Sequence, residues 1–111
     1  MKITERTIGE VTFLDLSGKI VLGAGDAALR DEVGRVIAAG SRKVVLNLGG
    51  VSYMDSAGLG ELVRCHSRMS QAGGSIKLLN LTKRVNELLV ITKLVTVFES
   101  FESEAEAAVS F

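Results

Sequence analysis

The sequence predicts an α/β fold in which about four α-helices lie mainly on one face of a mixed β-sheet. Short apolar runs rich in β-branched residues, such as residues 44–48, alternate with segments whose apolar residues recur every three to four positions. This alternation is typical of strands joined by right-handed helical crossovers. With 111 residues, 47% of them hydrophobic, the chain can bury one core but is too small for two full helix layers. We therefore predict a single domain over residues 1–111.

The N-terminal part of the chain is predicted to form a β-hairpin and then a helix. Residues 3–8 and 11–17 are the two strand candidates, joined by a turn at Gly9. Residues 18–25 contain three glycines and are predicted as a short strand or loop that leads into the helix. Asp26 is the predicted N-cap. The helix is expected to end near Gly40 and to bury one apolar stripe: Leu29, Val33, Val36 and Ile37.

The rest of the chain is predicted to contain three further strands and three further helices. One helix is expected to begin at Ala57 and to end at Gly73. Thr82 is placed to cap the next helix, and Ser103 begins a capping-box pattern before a short C-terminal helix. The predicted strands are residues 43–48, 75–80 and 95–98.

Composition excludes several classes of function. The 13 acidic and 13 basic residues balance, and no long basic run is present, which argues against nucleic acid or an anionic membrane as a partner. Aromatic residues make up only 5%, too few for a base-stacking platform. Cys65 is the single cysteine, so neither an internal disulfide nor a cysteine metal cluster can form. The charged N-terminus and the absence of a long apolar run predict a cytoplasmic protein.

Asp55 and Ser56 form the most informative feature, because they lie on the predicted turn between a strand and a helix. Open α/β sheets place their sites at the carboxyl ends of strands, where the hydroxyl of Ser56 is expected to be exposed. A phosphate on it would meet unpaired N–H groups at the helix start. A simple N-cap serine, worth about 1 kcal/mol, is the competing interpretation. Gly58 and Gly60 each cost a helix up to ~1 kcal/mol relative to alanine, which close packing or a docked partner has to justify.

A serine hydrolase is the obvious catalytic alternative, and the sequence argues against it. The nucleophile elbow is G-x-S-x-G, and here Met54 occupies the position of the first glycine. His66 is the only histidine and follows Ser56 by ten residues in the same predicted helix. At 1.5 Å per residue the two are roughly 15 Å apart, too far for His66 to act as the general base. We therefore predict that the chain is not an enzyme.

The remaining reactive side chains have simpler structural interpretations. His66 lies on or beside an apolar stripe and is predicted to be a satisfied, partly buried core residue, since no second histidine exists for a zinc site. Cys65 is predicted to be a small core residue. Met54 is predicted either as core or as an exposed contact beside the serine. Gly23 and Asp26 lie in a segment that could hold a phosphate, but a plain glycine loop is favoured. No cofactor and no metal are predicted.

Residues 44–63, with Asp-Ser-Ala-Gly-Leu-Gly at 55–60, strongly resemble the STAS domain of anti-sigma factor antagonists, and the resemblance covers the whole chain. It implies a STAS-like mixed sheet and a partner-switching cycle. A serine kinase that doubles as an anti-sigma factor would phosphorylate Ser56, which matches the family's phosphoserine. The unmodified protein would bind that kinase, and a metal-dependent serine phosphatase would reset the switch. Asp55 matches the acidic residue that precedes the phosphoserine.

The resemblance also implies a partner-binding surface in which the segment after the second strand lies beside the serine. Val21 stands where the family commonly has an acidic residue, and the segment is about one residue longer, so it should influence partner choice. The chain is expected to be a monomer or a weak dimer. The predicted partner-binding residues are Leu22, Gly23, Gly25, Asp26, Ser52, Tyr53, Met54, Asp55, Ala57, Gly58, Leu59 and Gly60.

An alternative function remains open, because STAS domains also occur in transport systems. The chain could be an accessory module that handles a small molecule, a nucleotide or a lipid rather than acting on a sigma factor. Its pocket would then be formed by residues 23–26 and the helix start at Ser56. A ligand that copurifies with the protein would favour this alternative.

Overall fold

A computed structural model describes all residues from Met1 to Phe111 and contains one five-stranded sheet and four helices. The strands lie side by side in chain order; the first two are antiparallel and all later neighbours are parallel. The predicted mixed sheet is therefore confirmed. The elements are β1 (Lys2–Ile8), β2 (Val11–Ile20), α1 (Gly25–Ala38), β3 (Lys43–Met54), α2 (Ser56–Gln71), β4 (Ser75–Leu79), α3 (Lys83–Ile91), β5 (Ser100–Phe101) and α4 (Glu104–Val109).

The helices are divided unequally between the two faces of the sheet. Residues of α1, α2 and α3 pack on one face in a core cluster of 20 buried residues. On the other face α4 contributes Ala107 to a smaller cluster of five, which includes Phe13 and Val45. Helices mainly on one face were predicted, and the structure confirms this. None of the four helices has the length and hydrophobicity that a membrane span requires.

β3 is longer than predicted, because it continues through Gly49 and Gly50 to Met54. Paired glycines suggest a strand end, but here Gly50 lets β2 and β3 approach closely, whereas a Cβ on Gly49 would lie 3.2 Å from the side chain of Asn80. A Cβ on Gly50 would lie 2.8 Å from the carbonyl oxygen of Leu16, and the β2–β3 register shifts beside this point. β2 likewise continues to Ile20, so the separate short strand expected within residues 18–25 is the end of β2.

The start of α1 also differs from the prediction. The N-cap is Ala24, which provides no side-chain hydrogen bond, and Asp26 lies inside the first helical turn. The first residue of the helix, Gly25, has to be a glycine, because a Cβ there would lie 2.3 Å from the carbonyl oxygen of Lys19. The predicted end near Gly40 is confirmed, since Gly40 follows the helix with φ of +98°.

The last strand was predicted at residues 95–98 and is found at Ser100–Phe101. Val95 and Val97 are exposed and lie in turns, where the amide of Val97 donates to the carbonyl of Leu94. β-branched residues raise strand propensity, but only tertiary pairing decides which residues of such a run join the sheet. The two later predicted caps are confirmed: Thr82 accepts from the Val85 amide at 3.2 Å, and Ser103 accepts from the Glu106 amide at 3.3 Å.

Candidate functional site

Ser56 is exposed and is the first residue of α2, directly after the carboxyl end of β3. Asp55, in extended conformation, is the N-cap: its Oδ1 accepts from the Gly58 amide at 2.8 Å. The interpretation of Ser56 as an N-cap is therefore wrong, because the helix starts one residue before the predicted Ala57 and the aspartate occupies the capping position. The hydroxyl of Ser56 has no structural task in the helix.

The second carboxylate oxygen of Asp55 reaches another part of the chain. Oδ2 accepts from the amide of Leu22 at 3.0 Å, across 33 residues of sequence. The hydrogen bonds from Leu22 and from Gly58 hold the pKa of Asp55 below its ordinary value, the one from Leu22 having the larger effect. A full negative charge therefore stands beside Ser56 at neutral pH.

The segment that Asp55 holds, residues 21–24, is called the Leu22 loop below. The Leu22 side chain is 75% exposed. The loop is ordered by further hydrogen bonds: the Gly23 amide donates to Oδ1 of Asp26 at 2.9 Å, and the Asp26 amide donates to the carbonyl of Val21 at 3.1 Å. Gly23 has φ of +103°, a conformation that side chains rarely allow. The loop thus presents a large apolar side chain to solvent from a well-defined backbone.

Gly58 and Gly60 differ in why they are glycines. A Cβ on Gly58 would lie 2.0 Å from the carbonyl oxygen of Ile20, so packing of α2 on β2 requires this glycine. A Cβ on Gly60 would meet only the Arg64 guanidinium at 3.5 Å, an ordinary contact. The fold does not require Gly60. Because Gly60 has no side chain, no side chain extends from the helix surface one turn after Ser56.

The predicted partner-binding residues separate into an exposed group and a buried group. Leu22, Gly23, Ser52 and Tyr53 are exposed, as is the predicted phosphorylation site, Ser56. Half-buried residues complete the surface: Asp55, Ala57 and Gly60. Buried residues lie beneath it: Gly25, Asp26, Met54, Gly58 and Leu59.

Met54 is only 1% exposed and belongs to the main core, which confirms the prediction of a core residue and contradicts the alternative of an exposed partner contact. It ends β3, and its side chain packs beneath the turn instead of facing a partner. The structure also reveals a residue that the sequence did not indicate: the guanidinium of Arg84 lies 4.3 Å from the ring centroid of Tyr53. The two residues are far apart in sequence and carry no common motif, so only the fold brings them together.

The side chains that could have supported catalysis are used in the core. His66 is half-buried and packs edge-on against Phe98, with the ring centroids 5.0 Å apart. Its Nδ1 is buried and has no hydrogen-bond partner in the protein, so the prediction of a satisfied histidine is correct for burial only. Cys65 is fully buried, as predicted, and burial raises the pKa of its thiol to about 12.

No cavity of the structure is lined by Ser56 or by residues 23–26, so the pocket expected for a small-molecule module is not formed there. The largest depression lies at the start of α3 and is lined by Thr82, Lys83 and Asn86 among others. No group of three or more His, Cys, Asp or Glu side chains is arranged to hold a metal ion. The site is therefore an exposed surface around one hydroxyl group and not a pocket.

Comparisons with known proteins agree with this geometry. The STAS domain family model matches residues 2–107. BtrV of Bordetella bronchiseptica, named as a candidate anti-sigma factor antagonist, is 31% identical over 111 residues, which cover all of this chain and 95% of BtrV.

Two solved proteins share the fold. A crystal structure of a candidate anti-sigma factor antagonist from Thermotoga maritima has a TM-score of 0.86 and 22% identity, covering 95% of this chain and 90% of that chain. The anti-sigma factor antagonist SpoIIAA in its unphosphorylated form has a TM-score of 0.72 and 18% identity, covering 98% of this chain and 96% of the SpoIIAA chain. SpoIIAA, described as a Bacillus cell fate determinant, has also been solved in a phosphorylated form, with a TM-score of 0.73 and 19% identity over 96% of each chain. At these identities the solved structures establish the fold, whereas the family model and BtrV establish descent. The chain belongs to the STAS domain family.

Proposed function

We propose that this chain is an anti-sigma factor antagonist, a non-catalytic regulatory protein switched by phosphorylation of Ser56. In its unmodified form it binds an anti-sigma factor that is also a serine kinase. That kinase moves the γ-phosphoryl group of ATP to Oγ of Ser56; the hydroxyl proton is released and ADP leaves. The phosphorylated protein dissociates, and a metal-dependent serine phosphatase restores the hydroxyl.

The observation that carries this proposal is the exposed Ser56 hydroxyl on the first residue of α2, beside an aspartate whose two oxygens already accept from Leu22 and Gly58. Asp55 already caps the helix, so Ser56 is free to be modified without loss of a structural hydrogen bond. His66 is engaged with Phe98 elsewhere on α2. A serine that is exposed, does not cap the helix and is not activated by a histidine is suited to accept a phosphate from another protein.

The surface around Ser56 supports a neutral interface in the unmodified state. Leu22 is exposed where its backbone bonds Asp55, and Gly60, one helical turn after Ser56, adds no side chain to the surface. Phosphorylation would add about −1.5 to −2 charge units beside the Asp55 carboxylate. A partner that closes over a small hydroxyl would then have to accommodate extra bulk and desolvate a dianion, which strongly disfavours binding.

The relatives support the same assignment. BtrV is named as a candidate anti-sigma factor antagonist, and SpoIIAA is known in both unphosphorylated and phosphorylated forms. No specific observation favours the small-molecule alternative, since no cavity is found at the site that would serve it.

The test is a capture experiment followed by reconstitution. Ser56→Ala and Ser56→Asp proteins are used as baits in extract of the cells that encode this chain. We expect Ser56→Ala to retain one protein that Ser56→Asp does not. That protein is then purified and incubated with ATP and the wild-type chain. We expect it to phosphorylate Ser56, as mapped by mass spectrometry. Equal affinity of the two variants in titration calorimetry, or phosphate mainly on Ser52, would refute the proposal.

A further inference from the structure

Asp55 joins two segments that the sequence keeps 33 residues apart. Its Oδ1 caps α2 through Gly58, and its Oδ2 receives the amide of Leu22. Capping alone requires a single acceptor oxygen, and asparagine or serine caps a helix about as well as aspartate. The second oxygen is therefore explained by the Leu22 loop and not by the helix.

The loop that Asp55 holds has one conspicuous side chain. Leu22 is 75% exposed, whereas the aliphatic residues that surround the site from β2 and α2, Ile20 and Leu59, are buried. Ordering a loop that projects a leucine into water has no benefit for the isolated fold. A large apolar side chain on a pre-ordered backbone is the kind of residue that anchors a protein interface.

We propose that Asp55 couples the phosphorylation state of Ser56 to the position of Leu22, and that the partner receives Leu22 in an apolar pocket next to the Ser56 hydroxyl. This inference rests on the proposed function. Asp55 acts as a positioning residue, since it holds the anchor and does not itself need to touch the partner.

The coupling follows from charge and from the hydrogen-bond donors at the helix start. A phosphate on Ser56 is attracted by the N–H groups of the first turn, and it stands next to the Asp55 carboxylate. Two anions in neighbouring positions repel, and the repulsion is relieved when the carboxylate turns away from the turn. That movement removes the acceptor of the Leu22 amide. The anchor is then released at the moment when the serine becomes charged.

The first test needs no partner. Phosphoserine is introduced at position 56 by genetic encoding into ¹⁵N-labelled protein, and amide hydrogen exchange is compared with the unmodified protein. We expect the Leu22 amide to exchange about five- to tenfold faster in the phosphorylated protein, consistent with loss of one hydrogen bond. The exchange rate of core amides should not change. Unchanged exchange at Leu22 would overturn the coupling.

Asp55→Asn provides the decisive variant, because Gly58 and Leu22 donate to different oxygens of Asp55, and asparagine replaces one of those oxygens with an NH2 group that cannot accept a hydrogen bond. We expect Leu22 exchange in this variant to match that of the phosphorylated wild type, and phosphoserine to add no further increase. The matched control is Asp26→Asn: Oδ1 of Asp26 alone accepts from both Gly23 and Ala27, so asparagine can keep both bonds. Independent, additive effects of Asp55→Asn and phosphoserine would show that Asp55 is only structural.

The anchor itself is tested with the kinase captured by the Ser56→Ala bait. Leu22→Ser should weaken its binding about tenfold or more, and Leu22→Met should stay within about threefold, since methionine preserves apolar volume. Val109→Ser is the control, since this residue is 81% exposed but lies on α4, on the opposite face of the sheet. Unchanged affinity of Leu22→Ser would overturn the inference, while loss of binding by Ser56→Asp would still uphold the proposed function.

Discussion

The starts of α1 and α2 resemble each other in composition but differ in what they do. Each contains a glycine that packs against the end of β2: Gly25 beside Lys19 and Ile20, and Gly58 beside Ile20. Each also contains an aspartate. Asp26 is buried, and its Oδ1 accepts amides within its own segment. Asp55 is half-buried, caps its helix and also holds a segment that belongs to the other helix start.

This comparison separates local from long-range roles of the same residue type. An aspartate whose hydrogen bonds stay within its own loop stabilises that turn, and these bonds do not link it to another segment. An aspartate whose two oxygens serve two segments makes each segment sensitive to a change at the other. Ser56, the proposed phosphorylation site, stands next to the second aspartate and not the first.

The largest effect is expected from glycines at the two helix starts. Gly58→Ala should lower the free energy of unfolding by roughly 2–3 kcal/mol, since its Cβ would lie 2.0 Å from the carbonyl oxygen of Ile20. Gly25→Ala, with a 2.3 Å approach to the carbonyl of Lys19, should cost a similar amount. Urea denaturation measures both. If either alanine is tolerated without loss, that helix start is not fixed against β2.

A smaller difference is expected between Asp55 and Ser56. Asp55→Ala removes the cap of α2 and should lower the melting temperature by a few degrees. Ser56→Ala removes a hydroxyl that has no structural bond and should change stability by less than about 0.5 kcal/mol. Differential scanning calorimetry decides the order. A larger loss of stability in Ser56→Ala than in Asp55→Ala would indicate that the serine, and not the aspartate, caps the helix.

Gly60→Ala is expected to stabilise the isolated chain by up to ~1 kcal/mol, the difference in helix propensity, because its Cβ would make only an ordinary contact with Arg64. The same variant should bind the proposed kinase more weakly, since the methyl group raises the surface beside Ser56. Thermal unfolding and calorimetric titration of one preparation measure both quantities. A destabilised variant would mean that the fold, and not the surface, requires this glycine.

The smallest effect concerns pH. The folded-state pKa of Asp55 lies below its ordinary value of 3.8, so its ionised form adds stability that is fully present above that value. The contribution is lost as pH falls through the lowered pKa. The pKa of Asp15 is also lowered, chiefly by the hydrogen bond from Arg6, so the wild type must be compared with Asp55→Asn to isolate the contribution of Asp55. The difference in melting temperature should shrink as the pH falls below the ordinary value of 3.8; a constant difference would contradict the prediction.

Much of the architecture was predictable, because its signals are local. The hairpin at Gly9, the end of α1 near Gly40 and the cap at Thr82 each depend on residues within a few positions of one another. The misplaced elements depend on distant partners. β3 continues through Gly49 and Gly50 because β2 lies against it, and β5 begins only where the backbone reaches β4. Propensity cannot anticipate such neighbours.

For the site, the sequence by itself determined that an exposed serine would lie where a buried strand turns into a helix, because the strand run and the Asp-Ser-Ala-Gly signature are contiguous. Only the tertiary structure decided that Asp55 caps the helix while reaching Leu22, that Met54 is buried, and that Arg84 stacks on Tyr53. The physical reason is that each of these outcomes depends on contacts between segments that are adjacent only after the sheet has formed.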